Sequence, residues 1–197
     1  MENNLSISNY DFSENKKAHE PLLWIGLVSI IMFFAGLTSA VIVSSTSATW
    51  KIFALPNTFL VSSIIIILSS ITYQIGFSFI KKNQLKLPKI LFVSTLMLGF
   101  AFVYFQYVGL SNLYQQGIYA TGNQSTNSSS YFYVLTVLHI LHLFFGIISL
   151  GVVCTKSMMN KYNSNNFSGI KLSITYWHFL GILWLYLFLF LSIMMSK

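Results

Sequence analysis

Five long apolar stretches, at about 22–44, 58–80, 89–109, 131–153 and 174–195, leave this chain very few ways to fold. Each is long enough, at about 1.5 Å rise per residue, to cross a hydrocarbon layer roughly 30 Å thick as a helix. In lipid every backbone N–H and C=O must find its partner inside the segment, so the spacing predicts α-helices. The last stretch makes the case most sharply: from Ile174 to Met195 there is no charge, and the sequence shows no wet face. A soluble core helix of that length would show one. Only 8% of the 197 residues are charged, against about a quarter in a soluble domain. The reading is an all-α integral membrane protein, a bundle of five transmembrane helices. Residues 1–20 form a polar N-terminal tail and residues 21–197 the transmembrane domain.

Charge placement sets the expected topology. Lys16 and Lys17, then Lys81, Lys82, Lys86 and Lys89, then Lys156, Lys161 and Lys171 fall on one side of a five-span chain. Lys51 and Lys197 fall on the other. The positive-inside rule then puts the N-terminus in the cytoplasm and the C-terminus outside. The long stretch 110–130 faces out and reads as a flexible loop, rich in Ser and Asn. The lysines, spread over membrane loops, fit an anionic lipid surface better than nucleic acid. No signal-peptide pattern opens the chain.

The four acids, Glu2, Asp11, Glu14 and Glu20, precede Pro21, and no carboxylate follows. Carboxylate metal sites and acid-based proton relays are thereby excluded from the spans of this chain. The single cysteine, Cys154, sits in an apolar run and reads as a small buried hydrophobe. The prolines Pro21, Pro56 and Pro88 stand just before the first three segments, where a missing N–H costs least.

Segment one carries two small-xxx-small pairs, Ala35/Ser39 and Gly36/Ala40, a stripe that lets another helix approach closely. His139 and His142, three residues apart, share one face of segment four, and His178 lies near the start of segment five. Three imidazoles raise a metal or haem reading. Depth counts against a shared site, because counting residues separates His178 from the pair by roughly 8–12 Å along the membrane normal. The expectation is buried neutral histidines, each hydrogen-bonded to neighbouring polar groups, with lipid headgroup contact as the second reading. Trp184 and Tyr186 lie deep enough that their N–H and O–H need protein partners.

Several stretches resemble subunit III of the haem-copper terminal oxidases, the cytochrome c oxidase family. YWHFLGILWLYLF (Tyr176–Phe188) resembles that family's last-helix signature YWHF-x-D-x-x-W-L-F. LTVLHILHLFFGI (Leu135–Ile147) resembles the preceding helix, with its two histidines three apart. MFFAGL (Met32–Leu37) resembles the S-E-V-M-F-F-A-G helix, Pro56-Asn57-Thr58 resembles the L-N-T start of the next, and Gln106 matches a glutamine on the third. The motifs run in order over about residues 20–195, as in the short five-helix bacterial form. Two departures stand out: Ile30 replaces a membrane-embedded glutamate, and Gly181 replaces the signature aspartate.

The resemblance implies an accessory, non-redox subunit that stabilises a catalytic subunit I and binds phospholipid while the complex reduces oxygen and pumps protons. It implies haem and copper in partner subunits, none in this chain, and no catalytic residue here. It also implies a bacterial cytoplasmic membrane and leaves membership of a supercomplex open. Trp177 and His178 would meet a headgroup or partner loop near the inner interface, His139 and His142 would tie segment four to its neighbours, and Gly36 and Ala40 would form a helix contact. The alternatives are subunit III of a quinol oxidase and a histidine-ligated membrane cytochrome. A small transporter would call for an intramembrane charge or a broken helix, and neither is present.

Overall fold

The computed structural model describes residues 2–47, 50–82, 86–122, 125–159 and 168–196, with side chains from Glu20 onward. Lys161, Lys197 and the loop residues Asn123 and Gln124, all used in the topology argument, lie outside the described residues. Among the described residues the regular elements are five α-helices: α1 (Glu2–Ser44), α2 (Thr58–Lys81), α3 (Lys86–Gln115), α4 (Asn127–Met158) and α5 (Ser168–Ser196). Their spanning parts are Glu20–Ser44, Thr58–Lys81, Lys86–Gln115, Asn127–Met158 and Gly169–Ser196. The chain is a multi-pass membrane protein whose last three helices run longer than their apolar stretches.

Packing is cyclic. Helix α2 lies on α3 and α5, α4 lies on α3 and α5, and α1 rests from outside on the α4–α5 edge. Water cannot drive helices together inside lipid, so close fit has to do it. Glycines supply that fit. A Cβ on Gly76 would sit 2.7 Å from the Phe92 ring, on Gly99 2.9 Å from Trp177, and on Gly109 2.7 Å from Phe59. Each glycine is therefore a socket for an aromatic ring of another helix. Cys154 is buried in the same core.

Three expectations change. Pro21 and Pro88 lie within α1 and α3 rather than ahead of them. Pro88 is in the first turn of α3, where no intrahelical bond is lost; Pro21 forgoes one i→i−4 bond at the polar edge of the first span. The stretch 110–130 is not one loop. Helix α3 continues to Gln115 and closes on Gly117, whose φ of +79° only glycine adopts freely. The N–H groups of Gly117 and Ile118 return to Tyr114 and Leu113 at 3.1 Å, a Schellman stop. The serines beyond it open α4: Thr126 and Ser129 form a reciprocal capping box. Ser128 Oγ donates to the Lys51 carbonyl at 2.7 Å, and Ser129 and Ser130 donate to the carbonyls of Tyr119 and Ala120 at 2.8 Å. These hydroxyls fasten both connections at this end of the bundle.

Candidate functional site

Helix α5 is the hub on which the polar groups converge. Trp177 Nε1 donates to Ser69 Oγ at 3.2 Å, and Trp184 Nε1 to Ser63 Oγ at 3.0 Å, both on α2. Tyr186 OH donates to Thr38 Oγ1 on α1 at 3.3 Å, and Tyr176 OH to the His142 carbonyl on α4 at 3.2 Å. The deep Trp and Tyr thus have the partners that their depth demands. Ser62/Ser69 and Ser63/Ser70 repeat every seven residues, two turns apart on one face of α2. That repeat is the signal by which the sequence could have revealed these acceptors.

Trp177 needs correction. It is 1% exposed, held between Gly99, Gly146 and Ser69, and reaches neither lipid nor a partner loop. The sockets opposite it, invisible in a linear reading, draw the indole inward.

The histidines separate into three environments. His139 is fully buried, its ring 5.2 Å from that of Trp184 and 6.4 Å from that of Phe102. Among the described residues neither ring nitrogen has a hydrogen-bond partner, so His139 ties α4 to α3 and α5 by ring packing and not by the expected hydrogen bonds, and it faces neither lipid nor a partner. His142 Nδ1 donates to the carbonyl of Leu138 on its own helix at 2.7 Å, and its ring meets Phe34 of α1 edge-on at 5.7 Å. It ties α4 to α1 by ring packing and to α5 through its carbonyl, not by its imidazole nitrogens. His178 is half-buried and donates from Nε2 to Gln74 Oε1 on α2 at 3.2 Å. Among the described residues no three His, Cys, Asp or Glu side chains gather as a ligand set. The imidazoles face an indole, a phenyl ring and an amide on different elements, an arrangement that does not fit a haem or copper group.

His178 and Gln74 stand over a lateral groove of about 340 Å³ between α2 and α5, with Ser70, Ile66 and Gly181 in its walls. A Cβ at position 181 would lie 3.3 Å from Ser70 Oγ and 3.6 Å from Ile66, so glycine keeps the floor clear. A second groove of about 430 Å³ runs between α1 and α5, lined by Ile31, Phe34, Phe179 and Tyr186. The two flank Ile182, which is exposed. Such walls suit an acyl chain or an apolar side chain, with one neutral polar pair alongside. Gly36 is exposed, a Cβ there would meet nothing within 4 Å, and Ala40 is half-buried. The small-residue stripe is therefore presented largely outward.

The family model for cytochrome c oxidase subunit III matches residues 20–196. Similar proteins include a probable quinol oxidase subunit 3 of Staphylococcus saprophyticus, 27% identical over 140 residues, 71% of this chain and 68% of that protein. A cytochrome c oxidase subunit 3 of Thermostichus vulcanus is 29% identical over 135 residues, 68% of this chain and 64% of that one. A probable quinol oxidase subunit 3 of Staphylococcus aureus strain USA300 is 27% identical over 142 residues, 71% of this chain and 68% of that protein. The chain thus spans about two thirds of the length of these relatives.

Proposed function

This chain belongs to the cytochrome c oxidase subunit III family, and we propose that it serves as the accessory, non-redox third subunit of a haem-copper terminal oxidase in aerobic respiration. Its place is beside the catalytic subunit I in a bacterial cytoplasmic membrane, N-terminus inside, with haem and copper held by partner subunits. One observation carries the non-redox reading. The three span histidines face different neighbours and do not converge: His139 packs against rings, His142 bonds its own helix, His178 bonds Gln74. No carboxylate follows Pro21 to join them. The chain's own residues then bind and position: the grooves flanking Ile182 hold phospholipid chains, and the Gly36–Ala40 stripe receives a partner helix. With Ile30 and Gly181 where the family carries carboxylates, the spans beyond Pro21 hold no acid.

Relatives named for quinol oxidases and for cytochrome c oxidases align at 27% and 29% identity. The donor, quinol or cytochrome c, is decided by the subunit that receives the electrons, and quinol oxidase subunit III remains the second reading.

The test is gentle purification of the tagged chain, with partner mass spectrometry and a reduced-minus-oxidised spectrum. Recovery of a haem-copper catalytic subunit, with all haem assigned to it, is expected; haem on the isolated chain would overturn the accessory role. In the purified complex His178→Ala should lower lipid or subunit retention while leaving the haem spectrum per complex unchanged. A loss of haem at full assembly would count against the assignment.

A further inference from the structure

The interior of the α2–α5 bundle contains polar atoms that have no hydrogen-bond partner among the described residues. Hydroxyls buried in these helices usually bond a carbonyl of their own helix. Ser62 and Ser63 Oγ reach Phe59 at 2.8 Å, and Thr95 Oγ1 reaches Leu91 at 2.8 Å. Thr136, fully buried on α4, does not: its Oγ1 has no partner. Gln106, fully buried on α3, gives its Nε2 to Ser62 Oγ at 3.0 Å and leaves Oε1 without a donor. Both ring nitrogens of His139 are also without partners.

These atoms share one neighbourhood. Helices α3 and α4 follow one another across a short connection and run antiparallel, and Phe102 of α3 lies against His139 of α4. Gln106 is one turn beyond Phe102 and Thr136 one turn before His139. Both steps lead toward the end carrying the α3–α4 connection, by roughly 5 Å. Gln106 and Thr136 therefore stand at one depth, about one turn from His139. A further turn in the same direction, Thr58 Oγ1 is also without a partner, placed 3.0 Å from where a Gly109 Cβ would stand.

The chemistry of the set is complementary but not self-closing. Neutral His139 offers one N–H donor and one nitrogen acceptor, Thr136 one O–H, and Gln106 one carbonyl acceptor. They do not reach one another directly, and leaving each desolvated inside a membrane core is strongly unfavourable. A small molecule that both donates and accepts would satisfy all three, and water meets that description with its usual two to four bonds.

We propose that Gln106, Thr136 and His139 form a buried water-binding site, with Thr58 marking its side toward the α3–α4 connection. Its role is to hold the α3–α4 polar layer together where Trp184 and Phe102 wall it off from lipid. It is a property of this chain and does not depend on the oxidase assignment. The deciding measurement is a density map of the purified complex at a resolution that shows ordered water, for the native chain and for Thr136→Val. The native map should show at least one water within hydrogen-bond reach of a His139 ring nitrogen and of Gln106 Oε1 or Thr136 Oγ1. The isosteric valine, which keeps the packing, should weaken or displace it. A dry interior, an imidazole turned directly onto a protein group, or water density unchanged in Thr136→Val would each overturn the site.

Discussion

Helices α5 and α1 are both uncharged from lipid edge to lipid edge, yet the structure uses them in opposite ways. Helix α5 is gripped from three sides, with Trp177, Leu180, Trp184, Leu187 and Leu191 all at or below 1% exposure. Helix α1 buries only a narrow stripe, Leu27, Phe34, Thr38 and Val41, against α4 and α5. Among the described residues its polar ties are the Tyr186–Thr38 bond, the Ser44–Tyr131 bond at 3.0 Å and the half-exposed Lys171–Glu20 pair at 2.8 Å. A surface ion pair of that kind contributes little. The difference teaches that apolarity places a helix in the membrane but does not say what it packs on. Rings entering glycine sockets bind α5 to its own chain, whereas the small residues of α1 face away and remain for another protein.

The comparison can be broken most forcefully at a socket. Gly99→Val would drive a side chain into the rigid Trp177 indole, whose Cη2 already lies 2.9 Å from a Cβ there. Overpacking of this kind should destabilise by about 3 kcal/mol, seen as loss of monodisperse protein in detergent or a large fall in melting temperature. A variant that melts like the native chain would show that the α5 seam is looser than described. Trp177→Phe, which keeps the ring but removes the Ser69 bond, should have a smaller effect, about 1–2 kcal/mol from the lost hydrogen bond and volume. Combining it with Ser69→Ala measures the bond itself, and strict additivity would remove it from the account. The smallest stability change is expected at Gly36→Leu, within about 0.5 kcal/mol because among the described residues nothing lies within 4 Å of a Cβ there. That same variant should co-purify less catalytic subunit. If it instead destabilises the isolated chain and leaves assembly intact, the roles given to the two helices are reversed.

Much of this molecule was legible in the residues, for a simple reason. Lipid leaves an uninterrupted apolar run one solution, so the number, order and helical nature of the spans follow from one dimension of information. The same holds for the demand that Trp184 and Tyr186 find partners, since an indole N–H at that depth has no solvent to use. Identifying those partners was beyond a linear reading. Ser63, Ser69 and Thr38 are ordinary hydroxyl residues until α2 and α1 are laid beside α5. Trp177 misleads for the same reason. Near a segment end an indole resembles an interfacial anchor, and only Gly99 and Gly146, distant in sequence, show that it points inward.

The sequence by itself determined a five-helix membrane protein without carboxylates in its spans, because charge and hydropathy act residue by residue. The tertiary structure decided which helix is hub and which is flank. It also separated three histidines into a ring contact, a helix-bound imidazole and a groove-side pair with Gln74. Those outcomes depend on which small residue stands opposite which ring, a relation between distant segments that no single segment contains.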